Sequence, residues 1–250
     1  MKRREPSYAT RESHRASLSN DSADRLERGA RRRLGAALGA AALLLVASTS
    51  TLQARHRWEF EGRLGGAWNV SLPVVLRQRG YDDLRWTARW RTQALRPPLY
   101  YSLRVARWRG DAGWAMDLTH HKLYLQNPPP EVQSLSVSHG YNLVTLQRLR
   151  AAGDWRYGEA VGAVVAHPES EVRGQRFAED GGLFGRGYYV GGPTAGVFVG
   201  WSPSVAGRLY STVEARLTVS LARVPIAQGT VRVPNLALHL TAGLGWSVPD

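Results

Sequence analysis

The segment 117–142 gathers most of the side chains that could do proton or acyl chemistry. Asp117-Leu118-Thr119-His120-His121 precedes the turn-forming run Asn127-Pro128-Pro129-Pro130-Glu131. Ser134-Leu135-Ser136-Val137-Ser138-His139-Gly140-Tyr141-Asn142 follows it. A neutral imidazole takes up a proton near pH 7, a hydroxyl attacks or donates, and a carboxamide stabilises an oxyanion. His139 and His120 are thus candidate general bases, with Ser138 as nucleophile or donor and Asn142 as orienter. Folding the hairpin about Pro128 and Pro129 predicts that His121 pairs with Ser136, Thr119 with Ser138 and Asp117 with Gly140. Ser134 and Asn142 share that face, where Ser136 or Ser138 with His121 and Asp117 would form a second conceivable triad. The opposite face holds Trp114, Met116, Leu118, His120, Leu135, Val137, His139 and Tyr141, with His139 the deeper of the two histidines.

Long alternating strands are the elements that would position these residues. In 208–223 the odd positions are Leu209, Ser211, Val213, Ala215, Leu217, Val219 and Leu221. The even positions are Arg208, Tyr210, Thr212, Glu214, Arg216, Thr218 and Ser220. Successive strand side chains point to opposite faces, so one face is almost pure hydrocarbon and the other charged and hydroxylic. Segment 231–246 repeats the pattern through Leu236, Leu238, Leu240, Ala242, Leu244 and Trp246. Both runs exceed the five or six residues typical of a soluble strand and match the signature of a membrane-spanning barrel.

The same alternation predicts strands at 58–67, 84–92, 99–108, 114–125, 134–148, 155–166 and 194–201, and a weaker one at 70–77 that Pro73 interrupts. Short turns then alternate with longer connections at 93–98, 126–132, 167–192 and 223–230. The expected fold is all-β: a closed antiparallel transmembrane β-barrel of ten strands, with eight as the alternative. Short turns would be periplasmic and longer loops external. Trp58, Trp86, Trp90, Tyr101, Trp114, Trp201 and Trp246 fall on the outward face, as interfacial aromatic girdles require. The inward face is expected to carry Glu59, Glu61, Arg63, Arg85, Arg89, Arg91, Arg104, Asp117, His121, Arg208, Glu214, Arg216 and His239. A small barrel has little room beyond its own side chains, so these charges would pair as a plug.

His139-Gly140-Tyr141-Asn142 resembles the His-x-Ser-Asn segment of the outer-membrane lipid A deacylases. That resemblance implies a small barrel whose Ser-His-acid triad faces the bilayer and hydrolyses an acyl ester. Tyr141 stands where the family has its serine. The nearest acid on the following strand, Glu159, falls about 20 Å along that strand from the predicted partner of His139.

The first 55 residues hold eleven Lys/Arg against five Asp/Glu, so almost half of the net charge of +13 sits there. Elsewhere the basic residues are scattered singly, without the stripe that nucleic acid demands, and nucleic acid is not an expected partner. The basic block Arg31-Arg32-Arg33 followed by the apolar run 34–47 has the layout of a secretory signal peptide, with an uncleaved anchor as the alternative. The domains expected are a disordered basic leader at 1–33, a signal hydrophobic and cleavage segment at 34–54, and a barrel at 55–250. The chain has no cysteine, which excludes thiol chemistry and Cys-based metal sites.

No cofactor and no metal site is read from the sequence: His120 and His121 are adjacent rather than spaced for one ion, and no phosphate-binding glycine loop stands in a strand–helix context. These features together predict an exported outer-membrane barrel of a Gram-negative bacterium with a charged, plugged lumen. Its role would be structural, or the binding of lipopolysaccharide or an external ligand through 167–192. The alternatives are a lipid A-modifying acyl hydrolase or acyltransferase at the external leaflet, and a soluble periplasmic barrel or sandwich.

Overall fold

The computed structural model describes residues 56–178 and 180–250; the leader at 1–33 and the signal segment at 34–54 lie outside the described residues. The elements are β1 (His56–Asn69), β2 (Leu72–Gln78), β3 (Leu84–Ala88), β4 (Trp90–Arg91), β5 (Tyr101–Arg109), β6 (Ala112–Leu125) and β7 (Val132–Ala152). There follow β8 (Trp155–Ala166), β9 (Glu169–Val172), β10 (Gln175–Arg176), β11 (Tyr189–Trp201), β12 (Ser204–Ala206), β13 (Leu209–Ile226) and β14 (Gly229–Pro249). All pairings are antiparallel, and they close a ring of eight strands in the order β1-β5-β6-β7-β8-β11-β13-β14, with β14 returning to β1.

The ring thus has eight members, not ten. The segments 70–77 and 84–92 form β2–β4, which stand outside it. β2 and β3 make a hairpin on the first residues of β14, Gly229 to Arg232. Their lengths explain this. β2 has seven residues and β3 five, whereas the shortest ring strand, β5, has nine. Similarly, β13 and β14 run through most of 223–230, expected as a loop, and turn only at Ala227 and Gln228.

Side-chain polarity inverts along the barrel axis. From Leu209 to Leu221 the outward residues of β13 are apolar except Ser211, and the inward ones include Glu214, Arg216, Thr218 and Ser220. Beyond Leu221 the pattern swaps: Arg223 is exposed, while Ala222, Val224 and Ile226 are buried. β14 swaps at the matching point, from inward Asn235 to inward Val233. Past that level the barrel interior is an apolar core. Val74, Leu76, Ala88 and Trp90 of β2–β4 pack there on Leu123, Val137, Tyr141, Leu143, Val224 and Val231. Trp86 packs against this core and Trp90 lies within it, so neither belongs to the outward aromatic set.

The remaining outward aromatics mark a band. Trp58, Trp114, Trp155, Trp201 and Trp246 are exposed near the short-turn end. Trp68 is exposed at the other end of β1. Ten residues separate Trp58 from Trp68, about 34 Å along a strand and about 26 Å along the normal at a tilt of about 40°. Phe60 and Leu64 face outward between them, as do Leu103, Val105, Met116, Val197, Leu240 and Leu244 on neighbouring strands.

Candidate functional site

Two polar constellations are built on this frame, one inside the ring and one on its outer wall. Inside, four arginines meet four carboxylates. The Arg63 guanidinium donates to Glu214 at 2.7 Å and to Asp117 at 2.8 Å. Arg216 donates to Asp117 at 2.8 Å and to Glu214 at 2.7 Å, while Arg104 reaches Glu214 at 2.6 Å and Glu61 at 3.1 Å. Arg156 contacts Glu59 and Glu61, and the Trp108 indole N–H donates to Glu59 at 2.7 Å. The Phe198 ring lies beneath Arg104, 4.8 Å from its guanidinium carbon. Toward the long-loop end a neutral layer follows. His239 bonds the Tyr100 hydroxyl at 2.7 Å and Thr218 at 2.8 Å, and His121 bonds Asn69 at 3.0 Å.

Of the inward residues expected from sequence, Glu59, Glu61, Arg63, Arg104, Asp117, His121, Glu214, Arg216 and His239 are brought together in this interior. Arg85, Arg89, Arg91 and Arg208 are not. The first three belong to or flank the short β3–β4 segments outside the ring, and Arg208 sits in the β12–β13 turn; all four are exposed. Parity could have found Arg156, because it alternates with outward Trp155 and Tyr157 on β8.

The outer constellation revises the predicted hairpin. His121 pairs with Tyr141, His120 with Asn142 and Asp117 with Thr145, and the register shifts between His121 and Leu123. Gly140 takes φ +133, and a Cβ there would lie 2.2 Å from the Asn142 amide nitrogen. The register shift places three β7 residues opposite Lys122, an even surplus, so Val137 and Tyr141 both face inward. The observed register pairs odd with odd positions where the expected one paired odd with even, which leaves Tyr141 inward and Asn142 outward. The buried Tyr141 hydroxyl donates to the Val233 carbonyl, so this tyrosine is spent on packing. Asp117 is held by arginines and His121 by Asn69, so neither joins Ser136 or Ser138 in a lumen triad. Glu159 is exposed beside Arg148.

On the outer wall His120 stacks on Tyr101 with ring centroids 5.0 Å apart, and its Nδ1 bonds the Asn142 carboxamide oxygen at 2.8 Å. His139 lies three residues further toward the long-loop end than Asn142, above His120 rather than below it. His120, Asn142 and His139 line one groove of about 470 Å³, together with Tyr101, Leu118, Val144, Val165, Leu183, Phe184 and Tyr188. Behind His139, Ser138 is buried and donates to Glu169 at 2.5 Å. His139 Nδ1 contacts the same carboxylate oxygen.

Backbone pairing fixes this cluster. Glu169 pairs with Ser136 across β7 and β9, and the His167 amide donates to the Gly140 carbonyl at 2.9 Å. The rings of His139 and His167 are 5.2 Å apart, and Tyr188 sits edge-on to His167 at 4.9 Å. Burial alone would raise the Glu169 pKa, but hydrogen bonds from Ser138 and His139, aided by the charge of nearby imidazoles, hold it below its usual value. Glu169 and His167 escape the sequence because neither sits on an alternating segment near 134–142. Only the fold-back of β9 onto β7 joins them.

No protein-family model matches the chain, and no curated protein sequence matches it. Among solved structures the chain is similar to Ail, the attachment invasion locus protein of Yersinia pestis. The TM-score is 0.37 at 10% identity, over 77% of this chain and 99% of that one. A structure of Ail in complex with the heparin analogue sucrose octasulfate gives a TM-score of 0.39 at 12% identity, over 76% of this chain and 99% of that one.

Proposed function

We propose that this chain is an outer-membrane β-barrel of a Gram-negative bacterium whose lumen is closed by its own ion pairs and whose work is binding at the outer wall and external cap. The observation that carries the reading is the inverted polarity of the ring. Its exposed belt is hydrocarbon between aromatic rims about 26 Å apart, close to the roughly 25 Å band of such barrels. Its buried interior is ionic over the same height. A soluble barrel would place Leu217, Leu240 and Leu244 inside and Arg216 outside; here Arg216 is buried and the leucines are exposed.

Binding is favoured over transport because four carboxylates and four arginines pair with one another across the lumen rather than lining it with fixed charge of one sign. The partner favoured is lipopolysaccharide. Arg223 and Arg232 face each other directly across β13 and β14, one step beyond outward Leu221. Like charges opposed on a sheet repel unless an anion lies between them, and both line a groove of about 430 Å³ with Pro73, Val75 and Pro234. At that height the anion available is a lipid A phosphate.

The test uses refolded protein in detergent. The wild type is expected to show heat-modifiable migration and to retain lipopolysaccharide. Arg223→Glu with Arg232→Glu should keep the migration shift and lose affinity at least about tenfold, since charge-assisted hydrogen bonds contribute about 1.5–3 kcal/mol each. Unchanged retention would remove lipopolysaccharide as the partner, and absent heat modifiability would remove the membrane barrel.

A further inference from the structure

The cluster behind the groove has a donor set that is not that of a hydrolytic triad. In such a triad the histidine stands between the hydroxyl and the acid. Here the carboxylate occupies the middle: Ser138 and His139 both point to Glu169 Oε1, and Ser138 Oγ is 3.4 Å from the same His139 nitrogen. A hydroxyl that gives its proton to a carboxylate is oriented away from attack. The arrangement instead collects lone pairs. His139, His167 and Glu169 each offer one ligand atom, and these atoms lie within 4.8 Å of one another.

We propose that His139, His167 and Glu169 form a binding site for a divalent transition metal of the zinc class, with at least one coordination position open to the groove. Two imidazoles and one carboxylate are zinc-type donors, whereas calcium and magnesium favour all-oxygen shells. Metal–ligand bonds of about 2.0–2.1 Å in a tetrahedron set ligand atoms about 3.4 Å apart. The widest separation, at most 4.8 Å, must therefore close to about 3.4 Å while His139 Nδ1 parts from the Glu169 oxygen it now contacts, and rotation of the exposed His139 side chain supplies that movement. Three protein ligands leave the fourth position to water or to an oxygen donor from outside.

The surroundings fit a metal shell. Ser138 donates to the Glu169 carboxylate, as ligating carboxylates are oriented by neighbours. Tyr188 touches both histidines, its ring against His167 and its hydroxyl 3.3 Å from the His139 carbonyl oxygen, to which it donates. The ligands come from β7, from the segment after β8 and from β9, so an ion would tie the β9 fold-back to the ring. The inference stands apart from the lipopolysaccharide reading, which rests on Arg223 and Arg232 on another part of the wall.

The experiment is titration of full-length refolded protein, stripped with chelator, by zinc alone, followed by calorimetry and by competition with a chromophoric chelator. Cobalt serves as a spectroscopic probe of coordination geometry. One equivalent of zinc at micromolar affinity or tighter is expected, with cobalt bands of four- or five-coordinate intensity. His139→Ala and Glu169→Gln should each weaken zinc by more than about 100-fold, beyond the 10- to 100-fold loss typical when only a supporting partner is removed. His120→Ala, in the same groove but outside the ligand set, should bind zinc as the wild type does. Heat-modifiable migration of every variant reports folding. Should either ligand variant misfold, cobalt spectra of His139→Asp, which retains a donor, replace it and should shift from the wild type. Failure to bind one equivalent, or equal binding by wild type and folded ligand variants, overturns the site.

Discussion

At the scale of single residues, Glu169 is the group whose chemistry the environment alters most clearly outside the spanning strands. It takes hydrogen bonds from Ser138 and His139, and its carboxyl titrates below the ordinary value. A carboxylate with a depressed folded pKa contributes stability above its unfolded value, about 4.3 for Glu, and loses that contribution as pH falls through the folded value. In chelator, the stability difference between wild type and Glu169→Gln should thus be present at about pH 5 and shrink below about pH 4. Thermal unfolding across that range measures it; a difference that grew on acidification would mean the carboxylate is not the stabilised form. This residue also marks the limit of what alternation can read. Asp117, Glu214 and Arg216 were legible as inward because each sits on an unbroken period of two. Asn142 and Tyr141 are expected on the wrong faces because polarity inverts along β7. Leu135 and Val137 are its inward residues there and Ser134 and Ser136 lie on the other face, so extending the serine phase as the inward one exchanges the faces at 141 and 142.

At the scale of elements, the ring strands were legible and their partners in the cap were not. Lengths of nine residues or more with an apolar outward face identify β1, β5, β6, β7, β8, β11, β13 and β14. β2 and β3 alternate just as well, and only their length, seven and five residues against nine or more in the ring, separates them. Two ring strands are fitted by a missing side chain: Gly245 of β14 lies between Tyr210 of β13 and Glu61 of β1. A Cβ at Gly245 would come within 2.1 Å of the Tyr210 ring, whose hydroxyl donates to Glu61 at 3.0 Å. Gly245→Ala therefore has to displace Tyr210 and break that bond. A loss of about 1–3 kcal/mol is expected, the usual range for overpacking a filled interior, and equilibrium unfolding in urea with detergent or lipid checks it. Gly153→Ala offers the contrast, since nothing lies within 4 Å of its Cβ but its φ is +59; it tests turn strain without touching the lumen.

At the scale of the whole molecule, the chain behaves as two proteins stacked on one set of strands. Below the level of Leu221 it is built for hydrocarbon outside and charge inside. Above that level the same strands carry arginine outside and an apolar core inside, as a soluble protein does. No loop marks the change; it is written in the residues that fill the inward positions of β13, β14 and β7. In the proposed reading the two tiers close the lumen independently, the lower by ion pairs and the upper by the core that β2–β4 complete. Wild-type protein in planar bilayers is consequently expected to give no large, steady conductance. The ion pairs are also strongly coupled to folding. Arg216→Met leaves Asp117 and Glu214 each short of a partner in a buried interior, and breaking one side of such a pair costs about 3–5 kcal/mol. Arg85→Ala, on the exposed β3, should cost within about 0.5 kcal/mol. Because the upper core still seals the barrel, Arg216→Met should lower stability without opening a pore. A stable wild-type pore would refute closure, and an Arg216→Met variant as stable as the wild type would show that the lumen charges are solvated individually rather than holding one another in place.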